Sequence, residues 1–166
     1  MAQRIMTELW DYIAQQFRDT IVHTDINTLD YRLSENEYSI AETAWRSLGS
    51  CFEWYSVLTG ATSSDEVLKN NPEVSDIVQA SSDGFLPGMF PESLPSNPDV
   101  LLSRTDDIVA QVGALLNEIP SAMRQQLFEL SNGATHSGDE IVARIMYLIS
   151  YSTGQMRLLR SHAKHT

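Results

Sequence analysis

The sequence predicts an all-α protein: a four-helix bundle, up-down-down-up, with a long proline-rich crossover between helices two and three. Three observations carry this expectation. Four segments repeat apolar residues at helical spacing, three of their starts carry capping signals, and the one stretch dense in proline falls between the second and third.

The first helix is expected from about Gln3 to Val22, with Ile5, Leu9, Tyr12, Ile13, Phe17 and Ile21 on its buried stripe. The second runs from about Ile40 to Thr59 and aligns Ile40, Ala44, Leu48, Cys51, Phe52, Tyr55 and Leu58. Ser39-Ile40-Ala41-Glu42 reads as a capping box at its start, and Gly60 suits a left-handed position just past its end. The third, from about Pro98 to Ile119, opens on an Asn97 cap followed by a proline that needs no donor, and aligns Leu101, Thr105, Ile108, Val112, Leu115 and Ile119. The fourth runs from about Gly138 to Ser161 behind a second box, Ser137-Gly138-Asp139-Glu140, and aligns Ile141, Ile145, Leu148, Ser152, Met156 and Leu159. A further box, Ser63-Ser64-Asp65-Glu66, could open a short extra helix.

Between Gly84 and Pro98, proline is too dense for a helix to propagate. Phe85, Leu86, Met89, Phe90 and Leu94 are nonetheless too apolar for a disordered linker, so this crossover is expected to pack along the bundle. The short strand-like runs are too few to build a sheet. Short connections at 1–2 and 3–4 make helices one and two antiparallel neighbours, and likewise three and four. All 166 residues form one domain, 1–166.

The formal charge of −11 argues against nucleic acid, whose phosphates need the opposite sign. No apolar run approaches the roughly 20 residues that cross a bilayer, and no signal-peptide pattern opens the chain, so a cytoplasmic protein with no membrane partner is expected. Cys51 is the single cysteine, and its neighbours Phe52 and Trp54 point to a buried thiol rather than a reactive one.

Two phrases resemble the DinB-like (DinB/YfiT) superfamily: Ser39-Ile40-Ala41-Glu42-Thr43-Ala44-Trp45-Arg46 opening helix two, and Thr153-Gly154-Gln155-Met156-Arg157-Leu158-Leu159-Arg160 within helix four. The resemblance implies a four-helix bundle that pairs as a homodimer and binds a divalent metal through three histidines. Here the three corresponding places hold Arg46, Leu148 and Ser152. A guanidinium stays protonated and cannot coordinate a cation, and a leucine has no donor atom, so the expectation is a divergent, metal-free member with no cofactor. The four histidines, His23, His136, His162 and His165, sit at helix ends and loops where a converging triad needs unusual geometry.

Arg46 is the sharpest remaining feature. Facing inward, it needs a carboxylate or an anionic ligand. Glu42, one turn earlier, and Glu53, two turns later, are the candidate ion-pair partners. Arg46, Leu148 and Ser152 are thus the candidate ligand-binding residues, with Glu42, Glu53 and Gln155 as polar neighbours and a small anion as the ligand. No nucleophile, base and orienting group can be named together. The favoured function is therefore non-enzymatic, through dimerisation and small-ligand binding. The alternative is an enzyme related to DinB-like metal-dependent thiol transferases or isomerases with an altered active site.

Overall fold

The computed structural model describes residues 2–60, 69, 74–81, 85–130 and 132–165. The chain is mostly helical. Its elements are α1 (Ala2–Val22), a 3-10 turn (Ile26–Thr28), α2 (Ile40–Leu58), α3 (Ser75–Ser81), α4 (Pro98–Glu118), α5 (Ser121–Gln125), β1 (Leu127–Glu129), β2 (Thr135–Ser137) and α6 (Gly138–Ala163).

The helix starts form as their chemistry dictates. Ser39 and Ser137 each close a full capping box, with Glu42 and Glu140 returning to the cap amides, and Asn97 accepts from the amides of Asp99 and Val100 ahead of its proline. Gly60 takes φ 108°, the conformation that lets the chain leave α2 at no steric cost. The Ser63–Glu66 box lies outside the described residues.

The short elements go beyond the sequence reading. β1 and β2 pair antiparallel, with Phe128 opposite His136, so a small two-stranded ribbon does form where no sheet was expected. The ribbon leads the chain into α6, whose Gly138 amide bonds Gln126 O at 3.1 Å. α3 packs on α2 at Gly49, where a glycine is required: a Cβ there would lie 2.0 Å from the Ile77 carbonyl oxygen.

The packed pairs of long helices are α1 with α4 and α6, and α2 with α4 and α6. Helices one and two are therefore not the close neighbours expected, and neither are α4 and α6. The 17 residues from His23 to Ser39 are long enough to carry the chain diagonally. α1 and α4 run antiparallel, since Thr7 meets Asn117, Trp10 bonds Val109 O, and Arg18 pairs with Asp106. α2 and α6 also run antiparallel: Trp54, late in α2, stacks against Arg144, early in α6, and Thr43 shares a cleft with Leu159.

The core holds Trp10, Phe17, Ile21, Ile40, Trp45, Leu48, Leu101, Ile108, Ile145 and Met156, all essentially without exposure. Three helices turn differently from expectation. On α1 the buried face is Trp10, Ile13, Ala14, Phe17 and Ile21, while Ile5, Leu9 and Tyr12 face solvent. On α4 Leu116 rather than Leu115 is buried, and on α6 Ile149 takes the core position expected of Leu148. A second set of apolar residues beside the true stripe misled the periodicity in each case.

The crossover is half embedded. Leu94 is buried, and Phe85 and Phe90 pack on the core, but Leu86 and Met89 are exposed. Its backbone is held by side chains of the α2 end: Tyr38 donates to Phe85 O, Glu42 accepts from Gly88 N, and Trp45 Nε1 donates to Pro95 O. No helix among the described residues is long and apolar enough to cross a membrane.

Candidate functional site

α2 presents Thr43, Arg46, Ser47 and Ser50 along one side at helical spacing, and α6 opposes them with Leu148, Ser152, Gln155 and Leu159. Between them lies a cleft of about 590 Å³. Leu33, Asn36, Glu37 and Tyr38, from the segment before α2, form its rim, and Tyr151 and Leu158 complete the α6 side. Four of the residues singled out by sequence, Arg46, Leu148, Ser152 and Gln155, therefore line one cleft.

Arg46 lies over the Tyr38 ring, its guanidinium carbon 4.1 Å from the ring centroid, and Nη1 donates to the Tyr38 hydroxyl at 2.6 Å. A planar guanidinium that lies flat on an aromatic face while its fork bonds a second group is what distinguishes arginine from lysine here. Tyr38 in turn donates to Phe85 O at 3.2 Å and sets its ring edge-on to Phe90, so the cation and the crossover share one aromatic support.

The two expected carboxylate partners lie elsewhere. Glu42 is buried and committed: Oε2 accepts from Ser39 N at 2.7 Å, while Oε1 accepts from Gly88 N at 2.8 Å and Arg32 Nη2 at 3.2 Å. The ion pair on Glu42 is thus made by Arg32, not Arg46. Arg32 stands ten residues before Glu42 and outside α2, where no helical spacing points to it. Glu53 accepts from Ser81 Oγ at 2.5 Å and ties α3 to α2 outside the cleft. Gln155 lines the cleft but stays on its own helix, donating to the Tyr151 hydroxyl at 3.3 Å instead of reaching across.

Among its described lining residues the cleft combines the Arg46 cation, hydroxyls from Ser47, Ser50, Ser152 and Tyr151, and an aliphatic wall from Leu33, Leu148, Leu158 and Leu159. Neither cysteine nor histidine lines it among the described residues. Cys51 is buried on the core side of α2, and desolvation pushes its thiol up to about 12, so the thiolate that would act as nucleophile is withheld. Among the described residues, no three His, Cys, Asp or Glu side chains come together as a metal site would require. His23 bonds Asp19 O, and His136 sets its ring against Trp54.

No protein-family model and no curated protein sequence matches this chain.

Proposed function

We propose that the protein is a metal-free, DinB-like four-helix bundle of up-down-down-up topology that binds a small organic anion in the α2–α6 cleft. In this reading it works through self-association, not catalysis. The convergence of Arg46, Leu148 and Ser152 on one cleft is the observation that carries it. These residues come from two helices and stand more than 100 positions apart, and the resemblance had marked all three as one site. The antiparallel pairs α1–α4 and α2–α6 fit the topology, because α4 ends beside the start of α1 and the short α5–ribbon connection starts α6 at that same end.

A pocket between bundle helices with an aliphatic wall and few convergent polar groups suits a small ligand with an apolar body and one charged head. The forked cation at Arg46 selects a carboxylate or similar oxyanion. A thermal-shift panel of small carboxylates tests this on the wild type and Arg46→Ala. Ligand at 100 times Kd stabilises by about 2.7 kcal/mol, a rise of several degrees. The wild type should respond and Arg46→Ala should not. An equal response in both removes Arg46 from the site, and a stoichiometric metal ion surviving dialysis of the purified protein overturns the metal-free reading.

A further inference from the structure

The apolar residues that α1 fails to bury form a surface of their own. Ile5, Leu9 and Tyr12 recur at i, i+4 and i+7 and are 47–63% exposed. α6 carries a matching set, Tyr147, Tyr151 and Leu158, at 53–62% exposure and in the same angular sector. A seam joins the two stripes. Gln16, one turn beyond Tyr12, accepts from Arg157 Nη2 at 2.6 Å, and Arg157 stands three residues after Gly154 on α6. Gly154 falls between Tyr151 and Leu158, and a side chain there would meet nothing within 4 Å. The glycine leaves bare, open backbone between these residues, one turn along from the stacked rings of Tyr147 and Tyr151, whose centroids lie 5.7 Å apart.

Charge identifies the occupant. All 22 acidic residues precede Ile141, with seven of the 11 basic ones, leaving −15 over residues 1–140 and +4 over residues 141–166. α6 beyond its first turn is therefore basic on an acidic molecule, through Arg144, Arg157 and Arg160. The acids beside the α1 stripe are Glu8, one turn before Tyr12 and paired with Arg4 at 2.8 Å, and Asp19, two turns after Tyr12 on the same side. A twofold arrangement that lays α6 of each copy on α1 of the other matches base to acid twice and covers both stripes.

We propose that this α1–α6 face is a self-complementary interface occupied by a second copy of this chain, with Tyr12 of each protomer seated over Gly154 of its partner. The proposal rests on the self-association in the function argued above and names its surface. Light scattering at micromolar concentration on the full chain tests both. The wild type should scatter as a dimer of about 37 kDa, twice the 18.6 kDa of one chain. Gly154→Glu places an acid opposite an acidic stripe without touching the fold, and should scatter as a monomer, with dimerisation at least tenfold weaker. Ala110→Glu, exposed on α4, should stay dimeric. The double variant Tyr12→Cys/Gly154→Cys should oxidise to a covalent dimer, because buried Cys51 takes no part. A monomeric wild type overturns self-association and its surface together. A wild-type dimer that survives Gly154→Glu and fails to cross-link overturns the surface alone. A monomer that instead binds phosphatidylserine vesicles through α6 gives the face to anionic lipid and also overturns the proposal.

Discussion

Replacing Gly49 with alanine sets a known gain against a known clash, and the structure decides the sign. In a helix interior the exchange alone stabilises by about 1 kcal/mol, through lower backbone entropy in the unfolded chain. At Gly49 the added Cβ would stand 2.0 Å from Ile77 O, 3.0 Å from Ile77 C and 3.1 Å from Ser81 Cβ. A carbon–oxygen contact rests at roughly 3.3 Å, so α3 would have to retreat by about 1.3 Å. The obstacle is backbone, with no flexible tip to swing aside, and α3 carries Ile77, Val78 and Ala80 into the core. Overpacking of this kind costs about 3 kcal/mol at the upper end of its usual range. The net expectation is a loss of about 2 kcal/mol, or a Tm lower by about 4–8 °C in a chain of this size. Gly113→Ala is the control, since its Cβ would meet Trp10 at 3.4 Å, an ordinary contact, and it should hold or raise Tm. Urea unfolding followed by circular dichroism reads both. Gly49→Ala as stable as the wild type would refute the close α2–α3 approach.

Three further outcomes follow from particular groups. Ser39→Ala removes the cap of α2 at a fully buried position and should cost about 1 kcal/mol in urea unfolding, because Glu42 N loses its acceptor. Cys51 should resist thiol reagents in the native state and react at the rate of unfolding. Its proton is held to about pH 12 when folded, whereas the unfolded thiol releases it from roughly pH 8.5, so stability should fall as pH rises between those values. At pH 10 the wild type should lose about 1–2 kcal/mol that Cys51→Ala does not. Hydrogen bonds from the Ser137 amide and hydroxyl hold the Glu140 carboxyl below its ordinary value, so its support of α6 should persist in mild acid and vanish as pH falls through that lowered value. Side-chain NMR titration should show Ser137→Ala moving the Glu140 midpoint upward.

The four long helices were legible because their signals are local. A serine three residues before a glutamate, or an asparagine before a proline, satisfies helix amides with atoms a few bonds away. What the sequence concealed was the angle at which each helix meets the core. α1 has apolar residues on two adjoining stripes, and only contact with α4 and α6 decides that Trp10 and Ala14 go inward while Leu9 and Tyr12 do not. α3 and the ribbon were missed for a related reason. Seven residues or three cannot display a period, and α3 persists only because Gly49 leaves room for its backbone.

The candidate cleft was legible to the same degree and for the same reason. Arg46 and Thr43 share a side of α2 by helical spacing, as Leu148, Ser152 and Gln155 do on α6, so each half of the cleft can be read from one segment. The partners of those residues cannot. Glu42 lies one turn from Arg46, yet its carboxylate is drawn to the Gly88 amide and to Arg32, and Arg46 is drawn to Tyr38. Those contacts come from loops on either side of α2. Buried Glu42 must satisfy both oxygens, and the loop donors reach it in geometry that a flexible same-helix pair, contributing about 0.5 kcal/mol, does not match. The consequence reaches beyond bookkeeping of pairs: with Tyr38 bonding both Arg46 and Phe85 O, an anion that displaced the phenol from the guanidinium would loosen one tether of the crossover. Ligand affinity at the cleft and the ordering of residues 85–97 should therefore change together.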